Sequence, residues 1–520
     1  MATCATTTNK KSVCVVGAGM SGLAVARELR REGLAVTVME QRSDVGGQWL
    51  YDDRRADAGD QLGVTAPVKV HSSMYASVRL IGPRECMGFS DFQFVPRPGR
   101  DARRFPAHRE MYCYLKDFCA AFRLAGVVRL NTKVVRVAMA SSPEARGGDV
   151  KWKVRSVRVE LDGGERVAVE EVFDAVVVAN GHYSQPRLPS IKGLEVWRRR
   201  QLHSHSYRVP DPFRGEVVVV VGCGESGLDI ATELCGVAKE IHLATKSMED
   251  ATSPPPVVSK LLSNHADIHL HPPVDRLCSD GTVAFADDVV VAADTVIYCT
   301  GYTYSIPFLD TAGLVTVDVD HVGPLYEHTF PPALAPSLSF VGIPMAVFAP
   351  WFFEAQARWI ALVLTGKAAL PPETEMMAAV EEGRRAMDIA GVPVKHTHFI
   401  PNGVKPQEVW EFVYRHSDLP RMEDWKVELF TTSNLKNAME DREAYRDRDD
   451  DSESVREGVR RWGRVAGAQY EAALAAAGRG DDHAHAHHDD AGVAAVRKKQ
   501  PLLPAPCQFS TLNGATPQKI

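Results

Sequence analysis

Two glycine-spaced turns carry the clearest chemical signal in this 520-residue chain. The first is Gly17-Ala18-Gly19-Met20-Ser21-Gly22, which follows the β-branched run SVCVV and precedes a helix-forming stretch. A second β-branched run then ends in Glu40. Strand, glycine turn, helix and strand in that order suit a dinucleotide. Gly17 permits the tight turn, Gly19 lets backbone approach a pyrophosphate, and Gly22 lets the helix lie close on the strand. The N–H groups at the helix start then receive phosphate oxygens. Glu40 lies 18 residues past Gly22, near the spacing of a carboxylate that accepts two ribose hydroxyls. Shortly after it, Gly46 and Gly47 allow another close backbone approach, and Gln48 and Trp49 follow, the indole able to cover a flat ring.

The second turn, Gly222-Cys223-Gly224-Glu225-Ser226-Gly227, follows a run of valines. The same 18-residue count from Gly227 reaches Thr245, with Lys246 beside it. A carboxylate repels a 2′-phosphate, whereas a hydroxyl and an ammonium accept one. The first turn therefore predicts a nucleotide without a 2′-phosphate, and the second predicts NADPH. The pair points to FAD plus NADPH, since nicotinamide alone needs one such module. A further echo joins them: DAVVVANG (174–181) and DTVIYCTG (294–301) share an Asp, an apolar run and a closing Gly.

These modules imply an α/β chain with two Rossmann-like dinucleotide-binding domains, an FAD domain interrupted by an inserted NADP domain. The expected boundaries are 10–207 and 301–440 for the FAD domain and 208–300 for the NADP domain. Residues 441–520 read as a charged, partly helical to disordered tail, with a helix near 452–477. Helices are expected over 354–366 and 373–391, and a loop over the proline-rich 249–257.

Composition narrows the function classes. Apolar residues make 45% and charged residues 24%, as in ordinary globular chains. Sixty basic against 66 acidic side chains give −6, no electrostatic ground for nucleic acid or anionic membrane as partner. Ten cysteines without a CxxC pair argue for free thiols rather than zinc ribbons or redox dithiols. The most apolar stretch, 344–366, is broken by Glu354, Gln356 and Arg358, so no membrane span is expected. The polar ends suggest neither signal peptide nor anchor. The expectation is a soluble cytoplasmic protein, with oligomerisation open. His483, His485, His487 and His488 sit among aspartates but read as a solvated tail, and no metal is expected.

With GAGMSG (17–22), EQRSDVGGQW (40–49), PRECMGFSDFQF (83–94), NGHYSQPRLP (180–189), GCGESG (222–227) and FFEAQARWI (352–360), the chain resembles the flavin-containing monooxygenases. It is most similar to the plant branch related to the glucosinolate S-oxygenases, over roughly residues 10–440. The resemblance places the FAD fingerprint on Gly17, Gly19, Gly22 and Glu40, with Gly47, Gln48 and Trp49 near the flavin. It places the NADPH fingerprint on Gly222, Gly224, Ser226 and Gly227. The family motif F-x-G-x-x-x-H-x-x-x-Y falls on Trp197, Arg199, His203 and Tyr207, so Trp replaces Phe and Arg replaces Gly. Ile81 stands where the family has an Asn at the flavin edge, and an isoleucine neither donates nor accepts a hydrogen bond.

The resemblance implies that NADPH reduces FAD and that reduced flavin adds molecular oxygen as a C4a-hydroperoxide. One oxygen atom then passes to a nucleophilic sulfur or nitrogen of a small molecule, with a thioether favoured over an amine. The cofactors carry this chemistry. His203 and Tyr207 are expected to be structural or hinge residues rather than acid–base catalysts. Two alternatives stay open: an NADPH oxidase releasing hydrogen peroxide, motivated by Ile81 and Arg199, and a regulatory nucleotide-binding protein.

Overall fold

The computed structural model describes residues 10–53, 60, 62–63, 70–140, 150–159, 168–400 and 408–478. Its first sheet is built on β1 (Ser12–Val16), whose β-branched residues suit a strand buried on both faces. Helix α1 (Met20–Arg31) follows at once, and Arg30 and Arg31 in its last turn complement the negative end of the helix dipole. The chain then returns as β2 (Ala35–Met39). With β3 (Ala175–Val178) and the short strands Val128–Arg129 and Leu338–Phe340, the parallel order is 338–340, β3, β1, β2, 128–129.

The second sheet repeats this plan. Strand β4 (Val217–Val221), helix α2 (Glu225–Leu234) and β5 (Glu240–Ala244) form its crossover, and β6 (Thr295–Tyr298) lies on the other side of β4. Ile268–His271 and Arg200–His203 close the two edges, again in parallel. The second sheet thus begins at residue 200, ahead of the boundary expected at 208.

The sequence echo has a structural meaning. Asp174 precedes β3, and its carboxylate accepts the N–H of Ser12 at the start of β1, 2.6 Å away. Asp294 precedes β6 and accepts the N–H of Val217 at the start of β4, 2.9 Å away. Each aspartate satisfies a strand-end donor and sets the register of the central strand pair.

Helix α3 (Ala349–Leu364) is buried almost all round and packs on α1. Its polar residues are paired there. Arg27 reaches Glu354 at 2.8 Å, and Arg358 reaches Glu32 at 2.6 Å. Glu354 also accepts the N–H and hydroxyl of Ser90. Burial pushes its carboxyl up to about 7, against the pull of Arg27 and with help from Asp91. A raised carboxyl is protonated more readily in the fold than in the unfolded chain, so its contribution is lost as pH rises from the ordinary range to about 7. The wild type is therefore expected to lose at most roughly 3 kcal/mol of unfolding free energy across that window relative to Glu354→Gln. Denaturant titrations of both proteins at pH 5 and pH 7.5 check this, and parallel pH slopes would contradict it.

Two expectations are corrected. Residues 249–257 are not one loop: Met248–Thr252 and Pro256–Asn264 are helical. Proline at the first helical position removes a donor that has no partner anyway, so this run starts a helix rather than preventing one. The segment after 440 is not a free tail as far as residue 478. In α4 (Glu453–Gly478), Val455, Trp462, Ala466 and Tyr470 recur at helical spacing and lie buried in the core of the first module. Tyr470 stacks on Phe92 at 4.3 Å and donates to Asp117. The tail histidines, Cys4 and Cys507 lie outside the described residues, and the cysteines among the described residues are free.

Candidate cofactor-binding site

Each glycine turn stands at the carboxyl edge of a parallel sheet, where the strand order reverses. Ligands of doubly wound folds bind at such a crevice. Gly17 has φ +103°, and a Cβ there would stand 2.6 Å from the Ala179 carbonyl oxygen at the end of β3. A Cβ on Gly22 would lie 1.9 Å from the Gly17 carbonyl oxygen, so α1 can approach β1 only with glycine. The second turn matches it. Gly222 has φ +110° with Cys299 O 2.6 Å from its would-be Cβ, and Gly227 crowds Gly222 O at 1.8 Å.

The first turn does not stand alone. The N–H of Gly46 donates to Ala18 O at 3.0 Å, and the Cα of Gly19 would meet a Cβ on Gly47 at 2.8 Å. The two glycine pairs form one cradle of bare backbone. Glu40 lies buried beside it, accepting the N–H of Ala18 at 2.7 Å and that of Arg42 at 2.9 Å. Burial raises its carboxyl, opposed by those two hydrogen bonds and by Arg42. Ser72 fixes the Gln48 carbonyl from the far side, and Trp49 is half-buried against the core. Met20 is buried, and the Ser21 hydroxyl lies where a Cβ on Gly342 would be.

The second turn is more open. Gly224 has no heavy atom within 4 Å of its would-be Cβ. Burial pushes the Cys223 thiol up to about 12, so it is a packing group there. The structure divides Thr245 from Lys246. Thr245 is buried, and its hydroxyl donates to Ser247 O at 2.8 Å, which removes it as a donor to a 2′-phosphate. Lys246, beside it, is exposed.

The chain crosses between the modules through Gln185–Pro186 and Tyr302–Thr303, paired antiparallel. Around this crossing, burial holds His182 down to about 4 and His203 down to about 3, so both rings are neutral at pH 7. His203 accepts the N–H of His205, and Tyr207 donates to Glu233 at 2.9 Å. Arg199 reaches Ala293 O and Asp294 at 2.8 and 3.1 Å, and Trp197 is buried. The unusual residues of that motif thus serve packing on the second sheet.

Sequence reasoning missed a strap. Arg442 pairs with Glu225 and Asp229 on α2, and Arg446 donates to Leu80 O at 3.2 Å. Asp447 holds Arg79 through two bonds of 2.8 Å, and Asp451 holds Arg104. Residues 442–451 therefore tie the helix of the second turn to the segment around Ile81. The alternating Arg and Asp of this stretch was the available signal. Ile81 itself is 54% exposed, between a buried Leu80 and Gly82, so no packing role accounts for it.

The family model described as flavin-binding monooxygenase-like matches residues 10–251 and 261–402. Flavin-containing monooxygenase FMO GS-OX-like 8 of Arabidopsis thaliana is 50% identical over 448 residues, 86% of this chain and 94% of that protein. FMO GS-OX-like 9 of the same plant is also 50% identical, over 88% of this chain and 96% of its own length. The solved S-allyl-L-cysteine S-oxygenase of Allium sativum is 40% identical, with a TM-score of 0.77, covering 88% of this chain and 99% of that one. With paired glycine turns on two parallel sheets and a family match across most of its length, the chain belongs to the flavin-binding monooxygenases, in their plant branch.

Proposed function

We propose that this monooxygenase uses FAD and NADPH to pass one oxygen atom from molecular oxygen to the sulfur of a small thioether. The observation that carries the reading is the pair of glycine turns at the carboxyl edges of two sheets, one beside a buried carboxylate and one beside an exposed lysine. The garlic S-oxygenase, similar over nearly its whole length, favours sulfur over nitrogen. In this reading residues 10–207 and 301–440 form the FAD domain and 208–300 the NADP domain, with Arg200–His203 moved into the latter.

The residues fit both groups. Gly17, Ala18, Gly19, Met20, Ser21 and Gly22 would receive the FAD pyrophosphate through backbone N–H groups at the start of α1. Glu40 would accept the ribose hydroxyls with the lone pairs that Ala18 and Arg42 leave over. Gly47, Gln48 and Trp49 would border the flavin. Gly222, Cys223, Gly224, Glu225, Ser226 and Gly227 would carry the NADPH pyrophosphate, and Lys246 the 2′-phosphate. Bound flavin supplies the oxygen activation and the reduced nicotinamide supplies the electrons. The neutral His182 and His203 offer no imidazolium at pH 7, so the hinge contributes shape and dryness rather than a proton.

Purified holoenzyme should show a flavin spectrum and consume oxygen with NADPH only when a thioether is present, forming one sulfoxide per NADPH. An amine panel run beside it tests the sulfur preference. Hydrogen peroxide equal to the NADPH consumed, whatever the substrate, would overturn oxygen transfer. Lys246→Ala is expected to raise the KM for NADPH about tenfold and leave that for NADH unchanged, because one exposed ion pair to phosphate is lost. Equal changes in both would remove Lys246 from the 2′-phosphate.

A further inference from the structure

At the far end of α2 from the glycine turn, three side chains from two loops converge. Cys235 follows α2, His265 follows the helix Pro256–Asn264, and Asp267 precedes the strand Ile268–His271. One ligand atom of each lies within 4.8 Å of the other two, and all three are half-buried. A fourth residue completes the arrangement. Glu443, from the strap, meets His265 Nε2 at 2.6 Å, and its other oxygen accepts the Asn264 amide at 2.8 Å.

We propose that Cys235, His265 and Asp267 form a zinc-binding site, with Glu443 as the carboxylate that orients the histidine. Thiolate, imidazole and carboxylate together suit zinc, which accepts sulfur, nitrogen and oxygen in tetrahedral geometry. A hard oxygen-seeking cation such as Mg²⁺ does not take a thiolate. The thiolate and the Asp267 carboxylate together neutralise the ion, and water takes the fourth position. With Nε2 held by Glu443, Nδ1 is the nitrogen left to ligate the metal. A carboxylate on the far nitrogen of a ligating imidazole fixes its ring and raises its basicity. Drawing the three donors in to zinc distances takes shifts of about an ångström, within reach of side chains at loop ends.

The site joins two parts of the molecule. Cys235, His265 and Asp267 all belong to the second module, whereas Glu443 adjoins Arg442, which holds Glu225 at the other end of α2 and Asp229 midway along it. Zinc on His265 strengthens the bond to Glu443, and so fastens the strap to the module that would bind the nicotinamide cofactor. This inference is independent of the substrate.

The test titrates zinc into the full-length, flavin-loaded protein in competition with a chromophoric chelator. The wild type is expected to bind one equivalent more than Cys235→Ser. Histidines 483–488 contribute equally to both proteins and cancel in the comparison. Mass-spectrometric alkylation with iodoacetamide gives a second readout. Zinc should slow labelling of Cys235 at least about tenfold and leave Cys278 unchanged. Asp267→Asn should erase that protection, and Glu443→Gln should weaken zinc affinity about 10- to 100-fold. Flavin retention confirms that each variant is folded. Equal zinc stoichiometry in wild type and Cys235→Ser, or Cys235 labelling indifferent to zinc, overturns the site.

Discussion

Gly224→Val is expected to give a folded, flavin-loaded protein that NADPH reduces at least about a hundredfold less efficiently. The would-be Cβ of Gly224 meets nothing within 4 Å, and its backbone is extended, so the valine costs the protein little. What the side chain fills is the space through which a pyrophosphate reaches the first N–H groups of α2. Two charge-assisted hydrogen bonds lost at about 1.5–3 kcal/mol each amount to at least about 3 kcal/mol. That corresponds to roughly two powers of ten in affinity. Stopped-flow reduction by NADPH measures it, while thermal unfolding and the flavin spectrum report the fold. Reduction at the wild-type rate would remove the second turn from nicotinamide binding. Gly222→Val would be a poorer test, because φ +110° and the Cys299 carbonyl make it a folding variant first.

Glu40→Ala is expected to lose flavin on gel filtration, with at least about a hundredfold rise in the dissociation constant for FAD. The substitution leaves the Ala18 and Arg42 N–H groups without their buried acceptor. Each unpaired donor costs about 1–3 kcal/mol, and the first lies inside the turn that would receive the phosphates. Glu40→Gln keeps one acceptor oxygen and should fall between the two. Wild-type flavin occupancy in Glu40→Ala would show that the carboxylate neither shapes the turn nor holds a ribose. Arg42 would remain paired with Asp52 in every variant, so a general loss of local charge balance does not explain the effect.

Both predictions rest on residues that were visible from spacing alone, because glycine turns are local. Gly17 and Gly22 must meet within one crossover, and a β-branched run, three glycines and a terminal carboxylate specify that crossover without help from afar. Thr245 shows the limit of this logic. Its distance from Gly227 matched a ligand position, but the Ser247 carbonyl two residues on offered its hydroxyl a nearer partner. The charge-dense stretch after 440 was harder still. Arg442 and Asp447 find their partners more than two hundred positions away in sequence, at Asp229 and Arg79. Local composition shows such residues only as solvated charge. The helix near 452–477 was legible, but its packing was not, because the aromatic surface of Phe92 and Trp425 that receives it is distant in sequence. The cluster of Cys235, His265 and Asp267 was hidden as well, because Cys235 stands 30 residues before His265 and only the fold brings them together.

The paired crossing at Gln185–Pro186 and Tyr302–Thr303 has an architectural consequence. The N–H of Arg187 donates to Gly301 O at 2.9 Å, so the points where the chain leaves and re-enters the first module are hydrogen-bonded neighbours. The NADP domain proposed above thus lies in a cassette that leaves and returns at one doorway, braced by Arg208 on the Asp52 and Ser72 carbonyls. A cassette of this kind can be exchanged for another of different cofactor preference without re-threading the host. Its strap, from 442 to 451, is the latch that any replacement would have to fit.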